Sequence, residues 1–171
     1  ENVVTKILGS LFGSKTSIKG QGLSGGSQAL GSVLGGGFNL QEYVDIQTKK
    51  KTFGITTSTK NSTQYSKASE ELSQQFTMVF QNLNDSILGA APLLGQNLTS
   101  VTDKLNKFVV NIGRVDLRGL SGEEIQERLT AVIGAEADKM AQAAIGGLGD
   151  FQKVGEGYYE TLVRVAAGVE E

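Results

Sequence analysis

The chain has neither histidine nor cysteine among its 171 residues. These absences remove Ser-His-Asp and Cys-His nucleophile systems within the chain. They also remove zinc sites built on thiolate or imidazole, and disulfides. Tryptophan is missing, proline occurs once and aromatics make up 6%. No run approaches the ~18 apolar residues that a spanning helix requires. The quietest stretch, 130–148, is interrupted by Glu136, Asp138 and Lys139. A carboxylate-only Mg or Ca site stays open, but no segment has the Asp-x-Asp-x-Asp-Gly spacing of a calcium loop, and no cofactor or metal is expected.

What the chain has in excess is glycine, at 23 residues. Its apolar residues are unevenly placed, dense from 72 to 169 and sparse from 13 to 65. That imbalance predicts one compact half and one extended half. Charge is divided in the same way. Residues 1–65 hold seven lysines and three acids, net +4, and residues 66–171 hold nine basic and fifteen acidic residues, net −6. A basic excess this thinly spread reads as a solubilising surface, not as the dense footprint of a nucleic-acid-binding domain. The chain begins Glu-Asn-Val-Val and stops close behind a helical pattern, so we expect it to be part of a longer polypeptide.

Residues 3–12 (Val3, Val4, Ile7, Leu8, Leu11, Phe12) have helical spacing and read as the end of an upstream helix over 1–13. Eight glycines fall within 20–37. Such a tract is either a linker or an extended segment laid against a partner, anchored by Leu23, Leu30, Val33, Leu34 and Phe38. Alternation at Val44 and Ile46, then at Phe53 and Ile55, predicts a β-hairpin over 41–58. Lys49-Lys50-Lys51 would form its turn, and 58–66 a polar loop. An isolated hairpin is marginal, so it should pair with another strand or another chain. Ala68, Leu72, Phe76, Val79, Leu83 and Ile87 form the stripe of a first long helix over 67–90, with Pro92 ending it or starting the next. Leu94, Leu98, Val101 and Leu105 continue at 4-3-4 spacing, a narrow seam suited to helix–helix or interchain packing.

Residues 108–117 are rich in β-branched types and read as a strand, bulged at Gly113, that partners the hairpin. Ser121-Gly122-Glu123-Glu124 is a capping box. It opens a helix that buries Ile125, Leu129, Val132, Ile133, Ala137, Met140 and Ala144 and ends at Gly146-Gly147. A closing helix is predicted over 150–169, with Phe151, Val154, Tyr158, Leu162, Val165 and Val169 on one face. The expected class is therefore α+β, mainly α with a small β element: a hairpin plus a third strand, then amphipathic helices. It is not expected to be a single compact globule. The expected divisions are 1–13, 14–65 and 66–171.

Chemical motifs are weak. Gly9-Ser10-Leu11-Phe12-Gly13-Ser14-Lys15-Thr16 departs from a P-loop at Ser14 and lacks the strand–helix context. Gly20-Gln21-Gly22-Leu23-Ser24-Gly25 matches the dinucleotide pattern formally, but in a glycine-rich tract and outside any βαβ unit. The acid pairs Glu123/Glu124 and Glu136/Asp138 read as a cap and a solvated face. For Tyr158-Tyr159, one ring is expected in the core and its neighbour at an interface or the surface.

Several words in 119–169, about a third of the chain, carry a resemblance. They are Leu120-Ser121-Gly122-Glu123-Glu124, then Ala135-Glu136-Ala137-Asp138-Lys139-Met140-Ala141, then Val154-Gly155-Glu156-Gly157-Tyr158, then Glu160-Thr161-Leu162-Val163-Arg164-Val165, preceded by the strand-like 109–117. In this order they resemble the segment towards the end of phage tail tape-measure proteins. The resemblance implies a structural, non-enzymatic role, with no small-molecule substrate and no catalytic residue. It implies a rod within the tail tube whose length sets the tail length, with its C-terminal part at the tail tip. Its partners would be distal tail, hub and tail tube proteins, in a homotrimer. Release ahead of the genome would bring transient contact with DNA or the host membrane. The residues expected at interfaces are Leu94, Leu98, Val101, Leu105, Phe151, Val154, Gly155, Gly157, Tyr158, Leu162 and Val165. Two other classes remain open: a coiled-coil scaffold of a secretion or contractile-injection assembly, and a membrane-active unit using 3–12.

Overall fold

The computed structural model describes residues 20–170, with the backbone alone at Glu170. The expected helix at 3–12, the upstream segment 1–13 and the near P-loop at 9–16 lie outside the described residues. The chain is α+β, as its sequence predicts. In order come β1 (Gly22–Gly25), β2 (Gln28–Ala29), α1 (Leu30–Gly36), β3 (Gln41–Thr52), β4 (Ile55–Lys67), α2 (Glu70–Leu93), α3 (Leu98–Lys107), β5 (Val109–Val110), β6 (Gly113–Asp116) and α4 (Gly122–Ala144). A short 3-10 turn (Gly149–Phe151) then leads to α5 (Tyr158–Glu170). One antiparallel sheet has the order β4-β3-β1-β6, and a second pairs β2 with β5.

The helices follow from their spacing and caps. Helix α2 buries Leu72, Phe76, Val79, Phe80, Leu83 and Ile87 at three- and four-residue intervals, the signature of a core-facing stripe. Ser69 caps it by accepting from the Leu72 amide at 3.2 Å. Pro92 neither stops it early nor starts a new helix but sits inside its last turn. The capping box of α4 is complete: Ser121 N–H donates to Glu124 at 3.0 Å, and Glu124 N–H to the Ser121 hydroxyl at 3.3 Å.

The glycine-rich tract is neither a linker nor an extended segment awaiting a partner. Leu23, Leu30 and Val33 are wholly buried and belong to one cluster with Leu72, Phe76, Leu105, Leu129 and Leu162. Phe38 stacks on Phe76 at 6.3 Å between centroids and meets Phe80 edge-on at 5.3 Å. The expected division between an extended 14–65 and a compact 66–171 is thus corrected for the glycine-rich tract, whose Leu23, Leu30, Val33, Phe38 and Leu40 share one core with the helices, while 44–65 is extended. The physical reason is close approach. A Cβ on Gly22 would lie 2.2 Å from the Val115 carbonyl oxygen, and one on Gly25 would lie 2.5 Å from the Phe38 ring. Here glycine is what lets β1 fit between its neighbours. The formal dinucleotide pattern therefore ends in a strand, not in a loop leading into a helix.

The hairpin also differs from its expected bounds. Lys49, Lys50 and Lys51 lie within β3, the turn is Phe53-Gly54, and the polar stretch 58–66 is strand β4. The third strand does not pair with the hairpin directly, because β1 lies between β3 and β6. Residues 108–117 divide into β5 and β6, which belong to different sheets. Between them the Asn111 side chain accepts from the Gly113 amide at 2.9 Å, a local turn that ends β5.

Candidate functional site: a lysine-rich hairpin arm

Strand β1 pairs with β3 only at Gln41, Glu42 and Tyr43. From Val44 onward β4 is the only strand that pairs with β3 among the described residues, as far as the Thr52–Ile55 pair. At ~3.3 Å per residue this gives an arm roughly 30 Å long, almost wholly solvent-exposed.

Its root is fastened by one charge cluster. The Gln21 side chain continues where β1 stops, accepting from the Asp45 amide at 2.9 Å. The Asp45 carboxylate accepts from Arg114 at 2.7 and 2.8 Å and from the Thr63 hydroxyl at 2.8 Å. The Arg114 guanidinium also lies 4.1 Å above the centre of the Tyr43 ring, a cation–π position. The Thr63 hydrogen bond and then Arg114 hold the Asp45 carboxyl below its ordinary range. Nearby, Arg118 pairs with Asp116 at 2.9 Å, and its hydrogen bonds take that carboxyl down to about 2. Arg128 donates to the Asp116 carbonyl at 2.7 Å. Asp45, Gln47, Asn61, Thr63, Arg114 and Arg118 line an open groove of about 620 Å³ at this root. Arg114 and Arg118 are thus already ion-paired.

The arm itself is different. Between Asp45 and Glu70 there are five lysines (Lys49, Lys50, Lys51, Lys60, Lys67) and no acid. Among the described residues none of the five forms an ion pair. Alternation along β3 places Lys49 on one face with its cross-strand partner Thr59, and Lys50 on the other with Ser58. A register shift between Lys50 and Lys51 adds a bulge near the tip. At the turn Phe53 has φ 54° and Gly54 φ 78°, two successive left-handed residues, as the tight type I′ hairpin turn requires. Phe53 is 99% exposed and Ile55 70%. A bulky residue in the left-handed region costs on the order of 1 kcal/mol or more, so the tip holds an apolar ring in water at a conformational cost.

The residues expected at interfaces are distributed unevenly. Val101, Leu105, Tyr158 and Leu162 are buried in this chain's own core. Of the two packings the 94–105 seam suits, helix–helix packing within the chain is what Val101 and Leu105 make. Leu94 and Val165 are half-buried, and Leu98, Phe151 and Val154 are exposed. Phe151 and Val154 do not share a helical stripe with Leu162, because the closing helix starts only at Tyr158.

The Val-Gly-Glu-Gly-Tyr run acquires a concrete role. Glu156 accepts from Arg164 Nε at 2.8 Å, the Thr161 hydroxyl at 2.7 Å and the Lys153 amide at 3.2 Å. Gly155 supplies φ 79° in open space, whereas a Cβ on Gly157 would lie 2.7 Å from the Asp138 carboxylate. That carboxylate accepts from the Tyr159 amide at 2.9 Å, so a side chain of α4 caps α5. Both tyrosines are buried, not one. Tyr158 OH donates to the Ile145 carbonyl at 2.6 Å and Tyr159 OH bonds the Ser86 hydroxyl at 2.9 Å. Glu136, expected on a solvated face, is also buried and accepts from the Asn111 amide at 3.3 Å.

The features that define the arm had only faint sequence signals. The lysine run has the polarity of a turn, and Phe53 and Ile55 have the alternation of a strand. Glycine after Phe53 is the turn signal that was present. Compared with protein-family models, curated proteins and solved structures, the chain matches none.

Proposed function

We propose that this chain is a structural module of a phage tail: the C-terminal part of a tape-measure protein, seated at the tail tip. There it would be held by distal tail, hub and tail tube proteins as a homotrimer, would contribute to setting tail length, and would leave ahead of the genome. The observation that carries the reading is the Val154-Gly155-Glu156-Gly157-Tyr158 run. Its resemblance to the tape-measure segment is joined by a coherent structural job: Glu156 ties the loop before α5 to Thr161 and Arg164 of that helix, and Asp138 of α4 caps its start. The other words of the resemblance fall on the same unit, at the capping box and along the middle of α4. An exposed arm of this length also suits a component that docks among other subunits.

The test is proteomics and lysine cross-linking of purified virions. The reading expects these peptides within a polypeptide several times longer that co-purifies with tail tube protein, with Lys49–Lys51 or Lys60 cross-linked to tip subunits. Recovery of the parent chain from a cellular envelope assembly, and not from virions, would overturn it in favour of a secretion-type scaffold.

A further inference from the structure

The arm carries an inference that stands on the fold alone and not on the tail reading. We propose that β3–β4 is a DNA-binding arm that enters the major groove of B-form duplex tip-first, with Phe53 towards the base edges and Lys49, Lys50 and Lys51 on the flanking phosphates. In linear sequence the basic excess looks diffuse. Folding concentrates it on one projection, where four lysines (Lys49, Lys50, Lys51 and Lys60) stand without an ion pair among the described residues.

Dimensions agree with the groove. The major groove is about 12 Å wide and about 8.5 Å deep, and it admits a two-stranded ribbon. Lys50 and Lys51 lie two to three residues behind Phe53, roughly 7–10 Å along a strand. The lysine amines therefore reach the phosphate rim as the ring reaches the groove floor. A hairpin inserted tip-first faces two phosphate walls, one on each side, and this arm carries lysine on both faces: Lys49 on one, Lys50 and Lys60 on the other. The apolar tip can contact thymine methyl groups, and Gln47, Asn61, Ser62 and Thr59 add hydrogen-bonding groups along the shaft.

The same pattern argues against a bilayer. A ribbon lying in a membrane interface needs an apolar face opposite a charged one. Here both faces are polar, and the exposed large apolar side chains of the arm are Phe53 and Ile55 at the tip, with Val44 and Tyr65 at the root. A-form RNA is disfavoured because its major groove is deep and too narrow for side chains to read.

The test is fluorescence anisotropy of the chain with a labelled 20-bp DNA duplex between 25 and 200 mM KCl. An A-form RNA duplex and phosphatidylserine/phosphatidylcholine vesicles run in parallel, and circular dichroism checks the fold of each variant. Lys49, Lys50 and Lys51 on phosphates, with Lys60 behind them as a fourth contact, predict a slope of log K against log salt of about −3 to −4. K49Q/K50Q/K51Q should flatten the slope to about −1. F53S should weaken binding about tenfold while leaving the slope unchanged. RNA should bind at least tenfold more weakly than DNA, and vesicles should not compete. No binding at 25 mM KCl, salt dependence unchanged by the triple substitution, or tighter binding to vesicles than to DNA would each overturn the proposal. The last outcome would make the arm a membrane anchor.

Discussion

Replacing Gly22 by Ala is the sharpest test of whether the glycine-rich tract belongs to the core. In a linker the substitution would stabilise the chain by about 0.4–1 kcal/mol, since alanine restricts the unfolded chain more than glycine does. In this fold the added methyl lies 2.2 Å from the Val115 carbonyl oxygen and 2.8 Å from the Tyr43 ring. Ordinary carbon–oxygen contact needs roughly 1 Å more, and the obstacle is backbone of the next strand, so β1 and β6 must separate. Overpacking of this kind costs about 1–3 kcal/mol, and more where backbone must move. Gly26, four residues on, is the internal control, because a Cβ there meets nothing within 4 Å. Gly26→Ala should therefore keep the stabilising entropic effect. With an m-value of about 2 kcal/mol/M in urea, the two variants should unfold at midpoints about 1–2 M apart. Urea unfolding followed by circular dichroism at 222 nm measures this directly. If Gly22→Ala unfolds at the same midpoint as Gly26→Ala, the close packing of β1 is wrong.

Three further perturbations probe other parts of the molecule. Leu30→Ala, at a wholly buried position, should cost about 2–5 kcal/mol, whereas Leu98→Ala should change stability by less than about 0.5 kcal/mol; the same urea series distinguishes them. Glu156 is held at about 2, against an ordinary value of 4.5, by Arg164 and then Thr161. A lowered folded-state value stabilises above the ordinary value and is lost as pH falls towards the lowered one. The stability gap between wild type and Glu156→Gln should therefore be full at pH 7, shrink below pH 4.5 and vanish near pH 2; a gap independent of pH would refute the pairing. Phe53→Asn should relieve the left-handed strain by about 1 kcal/mol and slow amide exchange across 44–64 about fivefold, measured by hydrogen–deuterium exchange.

The helices were legible because their signals are local. Leu72, Phe76, Val79 and Leu83 announce a buried stripe whatever packs on it, and Ser121 with Glu124 announces a helix start. The glycine tract was not legible, because a run of glycine is the same string whether it floats or lies under another strand. Only the distant carbonyl of Val115 and ring of Phe38 distinguish the two. Strand β4 was hidden for a related reason. Exposed on both faces, it has no apolar alternation to reveal its period. Spacing alone puts the start of α5 too early, because Phe151 and Val154 fall by chance on the helical spacing of Tyr158 and Leu162. The left-handed turn at Gly155 and the Asp138 cap, neither visible in that spacing, set the boundary.

The arm's attachment has a mechanical consequence. A shaft of roughly 30 Å leaves the body where β1 stops pairing, held there by Asp45, Arg114, Thr63 and Tyr43. A rotation of only a tenth of a radian there would sweep Phe53 through about 3 Å on a shaft of this length. The arm is in effect a pointer: small adjustments among the side chains at its root would be magnified at the far end, so Gln21, Asp45, Thr63 and Arg114 together govern how accurately the tip is aimed.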